Sequence, residues 1–207
     1  MTTENRIIKE SRALLKKIGA SSMTMDMVAR NCGISKRTLY ETFPDKKTLI
    51  KTCIADEHKE QDQVLNEIFR TAENCYDALF KTYLHIRQYL SGTSMVFVND
   101  IKRLYPDLFM ERREKEKDIV ASLSKVLSKA QQEGYMEKKI DTNIAAFLFL
   151  NNMRDINETR RYEDYGFSAI DVFDGAFLNF LRGISTIEGI MTIKDYLEKE
   201  NKLNTQL

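Results

Sequence analysis

Proline and glycine are scarce in this sequence, 2 and 8 among 207 residues, and tryptophan is absent. With so little punctuation, apolar residues recur at helical spacing almost everywhere and alternate as in a strand almost nowhere, which predicts an all-α fold. Long apolar runs are missing too. Stretches such as Ala145 to Leu150 fall far short of the ~20 residues that cross a bilayer. The N-terminal MTTENRIIKES lacks the apolar core of a signal peptide, so the expectation is a cytoplasmic protein with no membrane partner. The three cysteines, Cys32, Cys53 and Cys75, are odd in number and form no CxxC pair. They read as reduced and structural rather than redox-active or metal-binding. There are only two histidines, His58 and His85, with no partner histidine at i,i+4. HExxH, GxSxG and a glycine-rich phosphate loop are all lacking. The familiar constellations of metal and nucleophilic catalysis are therefore missing, and the expectation is a protein that is not an enzyme and holds no cofactor.

What is present is 43% apolar and 30% charged, the composition of a globular chain long enough for one or two small domains. A net charge of +1 conceals an asymmetry. Up to Cys53 there are 11 Lys and Arg against 5 Asp and Glu, a net of +6, whereas the remainder has 21 against 26, a net of −5. A basic head on an acidic body suits nucleic-acid contact, because Lys and Arg release counterions from phosphates. Ordinary scatter of surface charge is the alternative on this feature alone.

The head itself reads as a series of short helices. Ile7, Ile8, Leu14, Leu15 and Ile18 mark one face of a first helix that stops near Gly19. Thr24 can cap a second helix carrying Met27, Val28 and Cys32 inward. Gly33 permits a sharp turn, and Ser35 is placed to cap a third helix bearing Lys36, Arg37, Thr38, Leu39 and Tyr40. Pro44 and Asp45 open a fourth, with Asp45 as its cap. Two short helices joined by a glycine-containing turn, the second basic at its start, make a helix-turn-helix whose second helix enters the major groove N-terminus first. Leu39 then points to the core, Lys36, Arg37 and Thr38 face bases or phosphates, and Tyr40 offers a hydroxyl to the DNA backbone. Lys46 sits in the first turn of the next helix, where its charge opposes the macrodipole unless an anion lies nearby. A phosphate would supply that anion. Each residue taken singly has a plainer reading as a solvated face or a cover for the core; the joint spacing favours DNA.

Residues Ile7 to Ile50, with Thr24, Val28-Ala29, Gly33-Ile34-Ser35, Thr38-Leu39-Tyr40, Phe43, Lys46 and Leu49, resemble the TetR family of bacterial transcriptional regulators. The stretch RGISTIEGI, Arg182 to Ile190, is similar to that family's connection between its last long helices. The resemblance implies a homodimeric repressor that binds a double-stranded DNA operator and is released by a small-molecule effector. It implies an N-terminal three-helix helix-turn-helix domain, residues 1–48, joined by a shared long helix to a larger helical effector-binding and dimerisation domain, residues 49–207. It places Thr24, Tyr40 and Lys46 on phosphates and Lys36, Arg37 and Thr38 in the groove, with Ser35 among the DNA-facing residues. Arg37 departs from the pattern, standing where a small residue is common, and Lys47 replaces a frequent acidic residue.

From Lys46 onward helices are expected over Lys46 to Arg70, Asp77 to Leu90, Ser94 to Tyr105, Asp107 to Glu133, Thr142 to Thr159, Ser168 to Ile184 and Thr192 to Leu203. The mixed-sign run Glu111 to Asp118 reads as a solvated helix face. His58 reads as a surface residue. Tyr83, His85 and Tyr89, with Met95, Phe97 and Asn99, are candidate walls of an effector pocket, against the plainer reading that they are core. In SAIDVFDGAFLNFLRGI, Ile170, Phe173, Phe177, Leu181 and Ile184 form one apolar face, and Ala169, Val172, Ala176, Phe180 and Gly183 form a second. A helix apolar on two sides is buried on two sides. The second stripe, with Ile144 to Leu148 and onward to Asn152, suits a two-fold four-helix interface, the alternative being that it packs within one subunit. A helical ligand-binding protein without operator binding, and a helical enzyme, are the competing functional classes.

Overall fold

The computed structural model of the chain describes residues 1–92, 95–107, 116–159 and 161–204. The described residues are helical throughout apart from short turns, and their one extended pairing is an isolated bridge between Met136 and Ser185. Helices are α1 (Thr3–Ser22), α2 (Met25–Asn31), α3 (Lys36–Thr42), α4 (Lys46–Thr71), α5 (Cys75–Gly92), α6 (Met95–Leu104), α7 (Glu116–Gln132), α8 (Thr142–Thr159), α9 (Ala169–Ile184) and α10 (Ile187–Asn204). The fold is all-α, as the scarcity of turn residues requires. Part of the charged run, Glu111 to Lys115, lies outside the described residues, while Lys117 and Asp118 are exposed.

Two compact units emerge, Met1–Asn66 with Ser91–Glu114, and Glu67–Leu90 with Lys115–Leu207. In the first, the Thr2 hydroxyl caps α1 by accepting from the Asn5 N–H. Ile7, Ile8 and Leu15 are buried along one face, with Leu14 and Ile18 packed beside them. Gly19 takes φ 76 and ψ 170, a backbone conformation that favours glycine, and so bends the helix where the sequence places its end. On α2 the buried face is Met25, Val28, Ala29 and Cys32 rather than one including Met27, which is half-buried. The reason is angular: 25, 28, 29 and 32 are the positions that share one side of a helix. All three cysteines are free and buried.

Two fastenings hold this unit. Between α1 and α4, Arg12 donates from Nε to Glu57 at 2.8 Å and from Nη1 to Asp56 at 2.7 Å, and it also bonds Glu60. Lys16 donates to the other oxygen of Glu57 at 2.9 Å. Between α1 and α6, the buried Asp100 accepts the Ser21 N–H and hydroxyl, both at 2.6 Å. Phe97, Ile101 and Tyr105, four residues apart, lay an apolar stripe against the same core. These bonds make α6 part of the head's own packing, although it lies far along the chain.

The second unit centres on aromatic rings. Tyr83 stacks on Phe173 and Phe177 at 5.6 and 4.8 Å, and its hydroxyl donates to Asp174 at 2.8 Å. Phe80 stacks on Tyr196 at 4.7 Å. Tyr76, fully buried, shares a 2.6 Å hydrogen bond with Ser185. Helix α9 opens on a capping box in which Ser168 and Asp171 satisfy one another's backbone N–H groups.

The last helix begins at Ile187, five residues before the expected Thr192, so the connection within Arg182 to Ile190 shrinks to Ser185 and Thr186. Thr186 caps α10, its hydroxyl oxygen accepting from the Gly189 N–H at 3.2 Å. Gly189 is there for proximity and not to break the helix: a Cβ on it would lie 2.2 Å from the Tyr135 carbonyl oxygen. Backbone cannot yield as a flexible side chain can. Gly189→Ala is expected to destabilise the fold by about 1–3 kcal/mol despite alanine's better helix propensity. Thermal unfolding followed by circular dichroism checks this; a variant at least as stable as the parent would mean that α10 shifts freely.

Candidate nucleic-acid interface

Local bonds build the reading head from α2 and α3. The Cys32, Gly33 and Ile34 N–H groups return to the Val28, Arg30 and Ala29 carbonyls and close α2. Gly33 has φ 60, the left-handed region that a side chain resists, and so makes the turn. Ser35 then caps α3 by accepting from the Thr38 N–H at 3.1 Å, and the two hydroxyls lie 2.9 Å apart. Leu39 and Phe43 are buried and fix which face of α3 looks inward.

That leaves Lys36, Arg37 and Tyr40 outward, the last 48% exposed, with Thr38 half-buried at their edge. Thr24, exposed, caps α2 with its hydroxyl oxygen accepting from the Met27 N–H. Asp45 caps α4 as expected, accepting from the Thr48 N–H at 2.7 Å. The seven DNA-facing residues expected from the sequence therefore fall on α2, α3 and the start of α4.

Charges on this face are paired. Lys36 reaches across to Asp26 of α2 at 2.5 Å, and Arg37 donates from Nε to Glu41 at 2.9 Å. Lys46 is half-buried, and burial pushes its ammonium below the ordinary lysine range while Asp100 opposes that shift. The macrodipole conflict noted at this lysine thus has a resident anion. Hydrogen bonds from Ser21 and Arg103 hold the Asp100 carboxyl below its usual range despite burial that would raise it. Of the acidic groups here, only Glu41 had a local signal, its i,i+4 spacing from Arg37.

The other candidates are dispersed. Tyr83 belongs to the aromatic core of the second unit, and His85 and Tyr89 are half-buried further along α5. Phe97 packs against the core of the first unit and helps line a shallow cleft with Arg12, Leu15, Lys16, Cys53, Ile54 and Glu57. Met95 and Asn99 lie on α6 with side chains outside the described residues. On α9, Phe173, Phe177, Leu181 and Ile184 are buried and Ile170 half-buried; Ala169, Val172, Ala176 and Phe180 are half-buried and Gly183 exposed. Phe180 rests on Phe149 of α8 at 4.6 Å. Also on α8, Ile144 and Leu148 are 58% and 57% exposed, and Phe147 is exposed as well.

A capped, glycine-turned helix pair presenting Lys, Arg and Tyr over a buried leucine is the head of a DNA-binding transcriptional regulator. Residues 7–53 match the model for bacterial regulatory proteins of the tetR family. An uncharacterized HTH-type transcriptional regulator of Bacillus subtilis, YvaF, is 20% identical over 186 residues, 89% of this chain and 97% of that protein. Among solved structures, reduced E. coli NemR superposes with a TM-score of 0.70 at 14% identity, covering 89% of this chain and 97% of its own. A TetR-family regulator from Agrobacterium tumefaciens gives 0.69 at 15%, covering 89% and 98%. Those structural likenesses establish the fold. The head, residues 7–53, is thus that of the tetR family, and the chain as a whole resembles TetR-family transcriptional regulators. None of the described helices is long and apolar enough to cross a membrane.

Proposed function

We propose that the protein is a cytoplasmic homodimeric repressor, without enzymatic activity, whose two α3 helices enter successive major grooves of an operator and which a small-molecule effector releases. The observation that carries this reading is the outward cluster of Lys36, Arg37 and Tyr40 on a helix fixed by Ser35 and Leu39. In this reading Arg37, with Lys36 and Thr38, meets base edges. Thr24, Tyr40 and Lys46 meet phosphates, and Ser35 holds the helix start at the DNA surface. Residues 1–48 form the reading domain in sequence, and residues 49–207 supply effector binding and dimerisation through the α8–α9 face. Of the effector candidates, His85 and Tyr89 are the ones we assign to ligand contact.

Arg37→Ala is expected to relax preference at one base pair by roughly 1–3 kcal/mol, the worth of a bidentate contact. Lys46→Ala should instead weaken all duplexes similarly and reduce the salt slope of binding by about one. Fluorescence anisotropy on matched and single-substituted duplexes at several salt concentrations separates the two. Equal loss of discrimination in both variants would contradict this division. Effector and operator must also weaken each other by the same factor, as linkage demands. Titrating an effector with and without operator and finding identical affinities would show that the compound is not an inducer.

A further inference from the structure

We propose that Glu41 is a positioning residue that sets the head's base preference by holding Arg37 in a base-reading pose. This rests on the reading that α3 lies in the major groove. The pair spans one turn of α3, with Arg37 Nε donating to a Glu41 carboxylate oxygen at 2.9 Å. An Nε bond occupies one edge of the guanidinium and leaves its two terminal nitrogens as a forked pair, the spacing that guanine O6 and N7 accept. Holding the fork before contact reduces the rotamer freedom lost on binding. The neighbouring cation is held elsewhere: Lys36 is drawn to Asp26 on α2 at 2.5 Å. The two adjacent basic side chains of α3 therefore have different anchors, and Arg37 is the one anchored along α3 itself.

Glu41 acts by exclusion as well. Its carboxylate is exposed beside Arg37 on a face that meets a polyanion. Guanine O6 and N7 and thymine O4 are acceptors, which repel a carboxylate, whereas a cytosine amino group donates to one. A duplex that satisfies Arg37 compensates for bringing Glu41 into the groove. One that does not leaves the carboxylate facing phosphates or acceptors unrelieved. Discrimination is a difference of two affinities, and such a residue widens it by weakening the wrong complex.

The test uses the full-length protein and four variants, Arg37→Ala, Glu41→Ala, Glu41→Gln and the double Arg37→Ala/Glu41→Ala. A preferred duplex is first selected from a randomised pool with the parent protein, and binding is then measured to it and to every single-base-pair substitution. Glu41→Ala should lose about 3–10-fold of discrimination at the same base pair that Arg37→Ala relaxes, while its affinity for unrelated duplex rises. The double variant should lose no more discrimination than Arg37→Ala alone. Glu41→Gln should retain most of it, because the amide oxygen still accepts from Nε. Unchanged discrimination in Glu41→Ala, or loss at a different base pair, while Arg37→Ala relaxes its own, overturns the role of Glu41 and leaves the groove reading intact. Unchanged preference in Arg37→Ala overturns both.

Discussion

Phe180→Asp is expected to yield a folded monomer that has lost tight operator binding. Helix α9 already buries Phe173, Phe177, Leu181 and Ile184 within its own unit. Its second stripe of Ala169, Val172, Ala176, Phe180 and Gly183 lies on a helix packed against α8, where Phe180 meets Phe149 and where Ile144, Phe147 and Leu148 are exposed. Small residues seven apart let a partner helix approach closely, with Phe180 as anchor. In a two-fold interface each substitution is met twice, and an unpaired charge buried there costs about 3–5 kcal/mol. Only one recognition helix could then engage. Since Phe180 also rests on Phe149, Ala176→Arg provides the second arm, introducing charge at a half-buried position of the same stripe. Light scattering and circular dichroism decide the matter. An intact dimer for both folded variants would place the interface elsewhere.

Arg12→Met should cost about 3 kcal/mol of stability, because it strands carboxylates whose partner has gone. Asp56, Glu57 and Glu60 share one face of α4, and Lys16 and Gln61 would remain to meet the buried Glu57, with Lys16 as its one cation. Burial alone would raise the Glu57 carboxyl, but hydrogen bonds from Lys16 and Arg12 outweigh it and hold the group below its ordinary 4.5. A folded-state value below the unfolded one means that the unfolded chain binds more protons in this range. Glu57 therefore stabilises the parent above about pH 4.5, and that contribution fades as pH falls through the lowered value. In Arg12→Met the acid dependence should flatten, since burial then acts with less opposition. Urea unfolding at pH 7 and pH 4 reads both effects; an unchanged midpoint at pH 7 would mean that Arg12 adds nothing to what holds α1 on α4.

Features set by neighbours in sequence were the legible ones. Thr24, Ser35 and Asp45 cap helices because a side-chain oxygen reaches a backbone N–H three positions on, and the sequence alone identifies such pairs. Gly19 and Gly33 bend the chain where expected, since few other residues tolerate their backbone angles. Features set by distant segments were not legible. Gly189 falls within the connection expected before the last helix, whereas the fold sets it inside α10 against the Tyr135 carbonyl. Phe97 reads as a pocket wall, yet it packs on the head through a segment that Asp100 ties to Ser21 across 79 positions. Periodicity shows that a helix has an apolar face, and only the fold shows what covers it.

Selection of binding sites from a randomised duplex pool by the purified protein tests the central claim most directly. The account predicts enrichment of one two-fold symmetric sequence whose half-site centres lie about one helical turn, ~10 base pairs, or a multiple of it apart. Its affinity should exceed that for unrelated duplex by roughly 10³-fold or more at physiological salt. A pool that stays random through successive rounds, with the folded protein binding every duplex alike, would contradict it.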